Sequence, residues 1–230
     1  PDTVVVSAQN GIPWWYFQRH GGPLEGTRLA KLDPGGVIET FISPDRIIGC
    51  IVYPTATIVS PGVIDHLEGD RFTLGELDGT KSDRCQALSK ALIVSGLKSP
   101  VSTRIRRDLW VKLLGNVAFN PISALTKATL VDIASDAEAG GLARAIMEET
   151  DKVASGLGVE IPITVDQRLA GAVKVGEHKT SMLQDLEHGR PMELESVVGA
   201  VLELGEKMGL EMPHTRAIYA CTKLLAQTLH

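Results

Sequence analysis

The sequence predicts an α/β segment followed by an all-α domain, and three observations carry that expectation. Up to about residue 99, short β-branched runs are separated by Gly and Pro. After Pro100 the apolar residues recur at three and four, the spacing of amphipathic helices. No apolar run approaches the ~18 residues that a membrane span needs.

Thr3 to Ala8 (TVVVSA) reads as a buried strand that runs into a turn at Gln9-Asn10-Gly11. Residues 17 to 45 carry Gly21-Gly22-Pro23 and Asp33-Pro34-Gly35-Gly36, so loop or hairpin is expected there. Arg46 to Tyr53 (RIIGCIVY) reads as a second strand, followed by strand-like runs at 57–59, 62–64 and 71–74. From Ser82 the period changes: Leu88, Leu92 and Val94 fit a helix capped by Ser82 and closed by Gly96. Beyond Pro100, Ile105, Leu109, Leu113 and Val117 mark an amphipathic helix. Ser135 with Glu138 matches a capping box that opens a long helix ending near Gly156. Further helices are expected around 165–174, 181–187, 193–208 and 214–229, with Gly189 and Gly209 past two ends and Pro213 before the last start. The expected division is 1–99 and 100–230.

Composition narrows the function. The 230 residues carry 23 Lys+Arg against 28 Asp+Glu, a net charge of −5, which makes a nucleic-acid partner an expected absence. At 43% apolar and 22% charged the chain is expected to be folded, with room for one core and part of a second. Cys50, Cys85 and Cys221 are too widely spaced for a disulfide framework or a zinc motif, and point to a reducing, cytoplasmic setting. His66, His178, His188 and His214 show no metal-ligand spacing, and no metal is expected. Trp14, Trp15 and Tyr16 are expected to pack a core, and Asp65, Glu68 and Asp70 to form a solvated acidic turn. The chain opens on Pro-Asp-Thr, already within a strand, as a fragment of a longer protein would. No G-x-G-x-x-G turn follows a strand; Gly156-Leu157-Gly158 follows a helix and reads as its C-terminus.

One polar constellation stands out. Lys112, Asn116 and Asn120 recur at i, i+4 and i+8, so they share one helical stripe, about 100° around from the apolar face. Asn120 precedes Pro121, which predicts a kink or helix end there, aiming the Asn120 amide into a cavity. By itself the stripe also fits a solvated helix face. Three further segments carry matching chemistry: Asn10 at a strand end, Ser181 as a helix N-cap, and Glu193 with Glu195 at a helix start, where the dipole favours carboxylates.

Together with QNGIPWWYF at 9–17, TATIVSPGVIDH at 55–66, GELDG at 75–79, WVKLLGNVAFNPISALT at 110–126 and KTSMLQDLEHGRPMELESVVG at 179–199, this pattern resembles the ketopantoate reductase (2-dehydropantoate 2-reductase) family over essentially the whole chain. The resemblance implies the end of a Rossmann-type NADP-binding domain at 1–99, then a helical, 6-phosphogluconate-dehydrogenase-like substrate-binding and catalytic domain at 100–230. It implies NADPH as cofactor, a small 2-oxo acid as substrate, and a place in pantothenate and coenzyme A biosynthesis. Lys112 falls on the family's catalytic lysine, Asn116 and Asn120 on substrate-binding asparagines, and Ser181 on a serine at the substrate's carboxylate end. Glu193 falls on the glutamate that contacts the substrate hydroxyl, and Asn10 on an asparagine where nicotinamide and substrate meet. The chain departs from some members at Thr129-Leu130, where a further asparagine is found, which leaves a paralogue for another 2-oxo acid open. A truncated, catalytically silent dimerisation or substrate-binding module is the alternative of another class. Loss of the first strands of a parallel sheet exposes an edge and apolar surface, so a homodimer is expected.

Overall fold

The computed structural model describes residues 3–22 and 24–228. Strand β1 (Val5–Ala8) is followed by a long excursion with no strand among its described residues. That stretch holds a 3-10 turn at Pro34–Gly36, a short helix α1 (Val37–Phe41) and a second 3-10 turn at Pro44–Arg46. The chain continues through β2 (Ile47–Val52), β3 (Thr55–Ser60), β4 (Val63–Glu68) and β5 (Phe72–Gly75). β1 and β2 pair in parallel and β5 joins β2 antiparallel, in the order β1-β2-β5. β3 and β4 form a separate antiparallel hairpin. Among the described residues the loop expected at 17–45 thus shows no hairpin, and the short helix α1 lacks the periodicity that would announce it.

Helix α2 (Asp83–Val94) is capped by the Ser82 hydroxyl, which accepts from Cys85 N, and Gly96 follows with φ +89°. After it come α3 (Ile105–Thr126), α4 (Leu130–Ser135), α5 (Ala137–Gly156), α6 (Val165–Val175) and α7 (Ser181–Glu187). A π-helical turn, Glu195–Gly199, leads into α8 (Ala200–Lys207), and α9 (Pro213–Thr228) closes the described chain, with the expected end at residue 229 lying outside it.

Three local expectations are corrected. Asp136, not Ser135, caps α5, accepting from Glu138 N and Ala139 N; a carboxylate one residue nearer the helix reaches both orphan donors. Thr180, not Ser181, caps α7 by accepting from Leu183 N, which leaves the Ser181 hydroxyl free at the first helical position. Helix α3 does not end at Pro121; it continues to Thr126 and stops where Lys127 turns left-handed at φ +62°. Residues 117–124 are all buried, and α3 packs against α5, α7 and α9, so tertiary contact outweighs the hydrogen bond that proline removes.

The main core is built around α3. Trp110, Leu113, Leu114, Val117 and Phe119 meet Ile146, Met147 and Val153 of α5 and Val197, Val198 and Val201 near the π turn. Trp15, Tyr16 and Phe17, far earlier in the chain, belong to the same cluster. Trp110 Nε1 donates to the Tyr16 hydroxyl at 2.7 Å, with the rings edge to face. Arg106 staples this segment to α3 by donating to the carbonyls of Tyr16, Gln18 and Leu77. The segment after β1 is therefore held against the helical layer. The carboxyl ends of β1 and β2 face α3, which carries the polar stripe.

Candidate active site

Two parallel strands end beside Lys112. Asn10 lies two residues past β1, and Val52 is the last residue of β2. The Lys112 ammonium donates to Asn10 Oδ1 at 2.7 Å and to the Val52 carbonyl. Asn10 Nδ2 in turn donates to Glu193 Oε2 at 2.8 Å. An ammonium can only donate and a carboxylate can only accept, so the two ends of this relay dictate which way the Asn10 amide faces. Burial draws the Lys112 pKa from its ordinary 10.5 down to about 8, while the Glu193 carboxylate opposes the fall. The amine thus sits near neutrality, where it can both hold and release a proton.

A backbone clamp keeps the relay in register. Gly11 has φ +77°, and a Cβ there would lie 2.3 Å from the Ser196 carbonyl oxygen. Ile12 N donates to that same oxygen at 2.8 Å. Asn10 is thereby fixed against the π turn that begins just after Glu193. Such turns commonly mark functional positions in helices, and here the turn separates Glu193 from the regular helix α8. Glu195, named with Glu193 in the sequence, faces elsewhere: it accepts from the Tyr219 hydroxyl at 2.7 Å and pairs with Lys31 at 3.2 Å.

The relay lines a cleft of roughly 680 Å³ that also receives Asn116, Asn120 and Ser181. Of the polar residues singled out from the sequence, Lys112, Asn116, Asn120, Asn10, Ser181 and Glu193 therefore border one cavity, and Glu195 does not. Asn120 is only 5% exposed, yet its amide opens to the cleft. Among the described residues the side chains of Asn116, Asn120 and Ser181 have no hydrogen-bond partner, leaving their donors and acceptors to a ligand. Leu130, of the Thr129-Leu130 pair noted in the sequence, also lines the cleft.

Sequence reasoning missed several wall residues. Tyr53 places its ring 5.7 Å from the Lys112 ammonium. Glu68, expected in a solvated turn, approaches His178 at 3.8 Å across the rim. Arg190 donates to Asp185 at 2.9 Å. Arg168 is the most informative omission. It lies over Gly115, where a Cβ would come within 2.2 Å of its guanidinium, and 5.7 Å from the Phe119 ring. A signal was available: Val165, Arg168, Leu169 and Ala172 form an i, i+3, i+4, i+7 stripe, so this cation sits on the apolar face of α6. His188 meets the Gln184 carbonyl and His214 meets Glu149.

The carboxyl ends of the parallel pair β1 and β2 meet a helical layer across a polar cleft, the placement at which open α/β sheets take their ligands, and the relatives that share it are oxidoreductases. The chain belongs to the ketopantoate reductase family: the family model "Ketopantoate reductase PanE/ApbA C terminal" matches residues 104–226. A 2-dehydropantoate 2-reductase of Mesorhizobium japonicum is 52% identical over 97% of this chain and 69% of its own length. A crystal structure from Ralstonia solanacearum superposes with TM-score 0.94 at 38% identity, covering 99% of this chain and 70% of that one. The 2-dehydropantoate 2-reductase of Methylococcus capsulatus superposes with TM-score 0.82 at 32% identity, covering 100% and 67%. The fold is accordingly part of a Rossmann-type sheet followed by the family's helical C-terminal domain.

Proposed function

We propose that the cleft reduces 2-dehydropantoate to pantoate, in pantothenate and coenzyme A biosynthesis, with Lys112 as the proton donor. The relay from Glu193 through Asn10 to Lys112, set on two strand ends and facing unpartnered amides, is the observation that carries this reading. Bound NADPH would supply hydride to the ketone carbon. Gln9 and Asn10 would meet its nicotinamide, because they follow the carboxyl end of a parallel strand, where such sheets take their ligands. The ammonium of Lys112 stabilises negative charge growing on the ketone oxygen and then gives up its proton there. Glu193 keeps the amine protonated and directs it through Asn10. Asn116, Asn120 and Ser181 orient the substrate by neutral hydrogen bonds that leave the charge balance intact. The enzyme expressed from its full reading frame should reduce 2-dehydropantoate with a higher kcat/KM than other branched 2-oxo acids, and with NADPH in preference to NADH. Preference for another acid would favour the paralogue reading, which the Thr129-Leu130 departure leaves open.

The charge on Lys112 sets a pH dependence. In the reducing direction kcat/KM should fall as pH rises through about 8, where the ammonium is lost. Glu193→Gln removes the charge that supports the ammonium, so the alkaline limb should move to lower pH. A limb that stays in place would show that Glu193 does not act on the amine.

We also propose a cytoplasmic homodimer. Among the described residues Phe41 and Val94 are 82% and 80% exposed, apolar surface that a second copy could cover. Light scattering should give twice the monomer mass, and a clean monomer at micromolar concentration would contradict this.

A further inference from the structure

We propose that Arg168 is the carboxylate-binding residue of the cleft, gripping a 2-oxo acid so that its ketone oxygen meets Lys112. The inference rests on the reading of the cleft as a 2-oxo acid reductase site. The other cationic groups at the cleft already have partners: Arg190 has Asp185, and Lys112 reaches Glu193 through Asn10. Arg168 lies near no carboxylate among the described residues. Its side chain rests on the bare backbone of Gly115 and near the ring of Phe119, contacts that hold a guanidinium in place without neutralising it. Burial lowers its pKa, with Tyr53 opposing, so the site carries a desolvated cation awaiting an anion. A planar fork of five donors suits a carboxylate, which it can bind through two parallel hydrogen bonds.

The position also fits. Gly115 follows Lys112 by three residues on α3, about 4.5 Å along the axis and on the same face. In a 2-oxo acid the ketone and carboxyl carbons are directly bonded, and both cations line the one cleft. The family resemblance assigns this end of the substrate to Ser181; the geometry adds a charged partner that the neutral hydroxyl lacks. The same guanidinium chemistry could instead serve a phosphate of the dinucleotide, and the two sources predict different losses.

The test uses the enzyme from its full reading frame, with Arg168→Ala, Arg168→Lys and Gly115→Ala variants whose folding is checked by circular dichroism. KM and kcat are measured for 2-dehydropantoate and for its carboxamide, pantoate binding by calorimetry, and NADPH binding by fluorescence. Loss of a bidentate charge-assisted contact should raise KM for the acid by about 10- to 100-fold in Arg168→Ala. The carboxamide KM and the NADPH affinity should stay within about twofold on the same reasoning, since neither involves the lost charge. Added guanidinium should restore part of the affinity for the acid. Arg168→Lys should lie between wild type and alanine, and Gly115→Ala should also weaken the acid by displacing the fork. Should Arg168→Ala fail to fold, the lysine and Gly115 variants carry the same comparison. Equal losses for acid and carboxamide, or a loss confined to NADPH, would overturn the assignment. Turnover of a different 2-oxo acid by wild type would correct the substrate while leaving Arg168 testable on that acid; no binding of any 2-oxo acid would remove both readings.

Discussion

Lys112→Ala should lower kcat for 2-oxo acid reduction by at least ~100-fold, the range that a positioned general acid contributes. No other ammonium lies on the cleft among the described residues, and the neutral amides of Asn116 and Asn120 cannot deliver a proton at neutral pH. Lys112→Arg separates the two duties of the amine. It keeps a positive charge near the ketone oxygen, but its pKa is too high for proton donation, so kcat should remain far below wild type. Substrate KM should change less than kcat in both variants, because the carboxylate is held elsewhere. Steady-state kinetics with proteins of unchanged circular dichroism checks this. Turnover near wild type in Lys112→Ala would remove the lysine from the chemistry.

Gly11→Ala should damage both the fold and the reaction. At φ +77° an L side chain costs about 1–3 kcal/mol, and the new Cβ would also press on backbone that has no flexible end to move aside. Together these imply a fall in melting temperature on the order of 5–10 °C for a chain of this size. The strain has a direction: relief requires Asn10 to move away from the segment that carries Glu193. The relay then lengthens, Lys112 loses its carboxylate support, and kcat should drop at temperatures where the protein is still folded. Thermal denaturation beside kinetics at 15 °C distinguishes the two effects. A loss of stability with unchanged kcat would show that the clamp does not position the relay.

The contrast between what could be read from the sequence and what could not follows the range of the interactions involved. Capping of α2 by Ser82 and the turn at Gly96 depend on residues a few positions apart, and both were legible. The stripe of Lys112, Asn116 and Asn120 was legible for the same reason, since helical period alone places them together. That Asn10 and Glu193 join this stripe could be expected only through the family resemblance, because the contact spans 183 positions and leaves no local pattern. The passage of α3 through Pro121 was illegible because burial on all sides overrode a local rule. Arg168 was overlooked for the opposite reason: its pattern was present, but a cation on an apolar stripe was absorbed into an ordinary amphipathic helix.

The most direct test of the convergence is a titration of the Lys112 amine itself, followed by NMR in protein with isotope-labelled lysine and assigned by loss of the signal in Lys112→Ala. The structure predicts a midpoint of about 8, well below the ordinary lysine value, and a further downward shift in Glu193→Gln. A midpoint near 10.5, indifferent to the Glu193 substitution, would mean that the amine is solvated and that relay and cleft do not form one site.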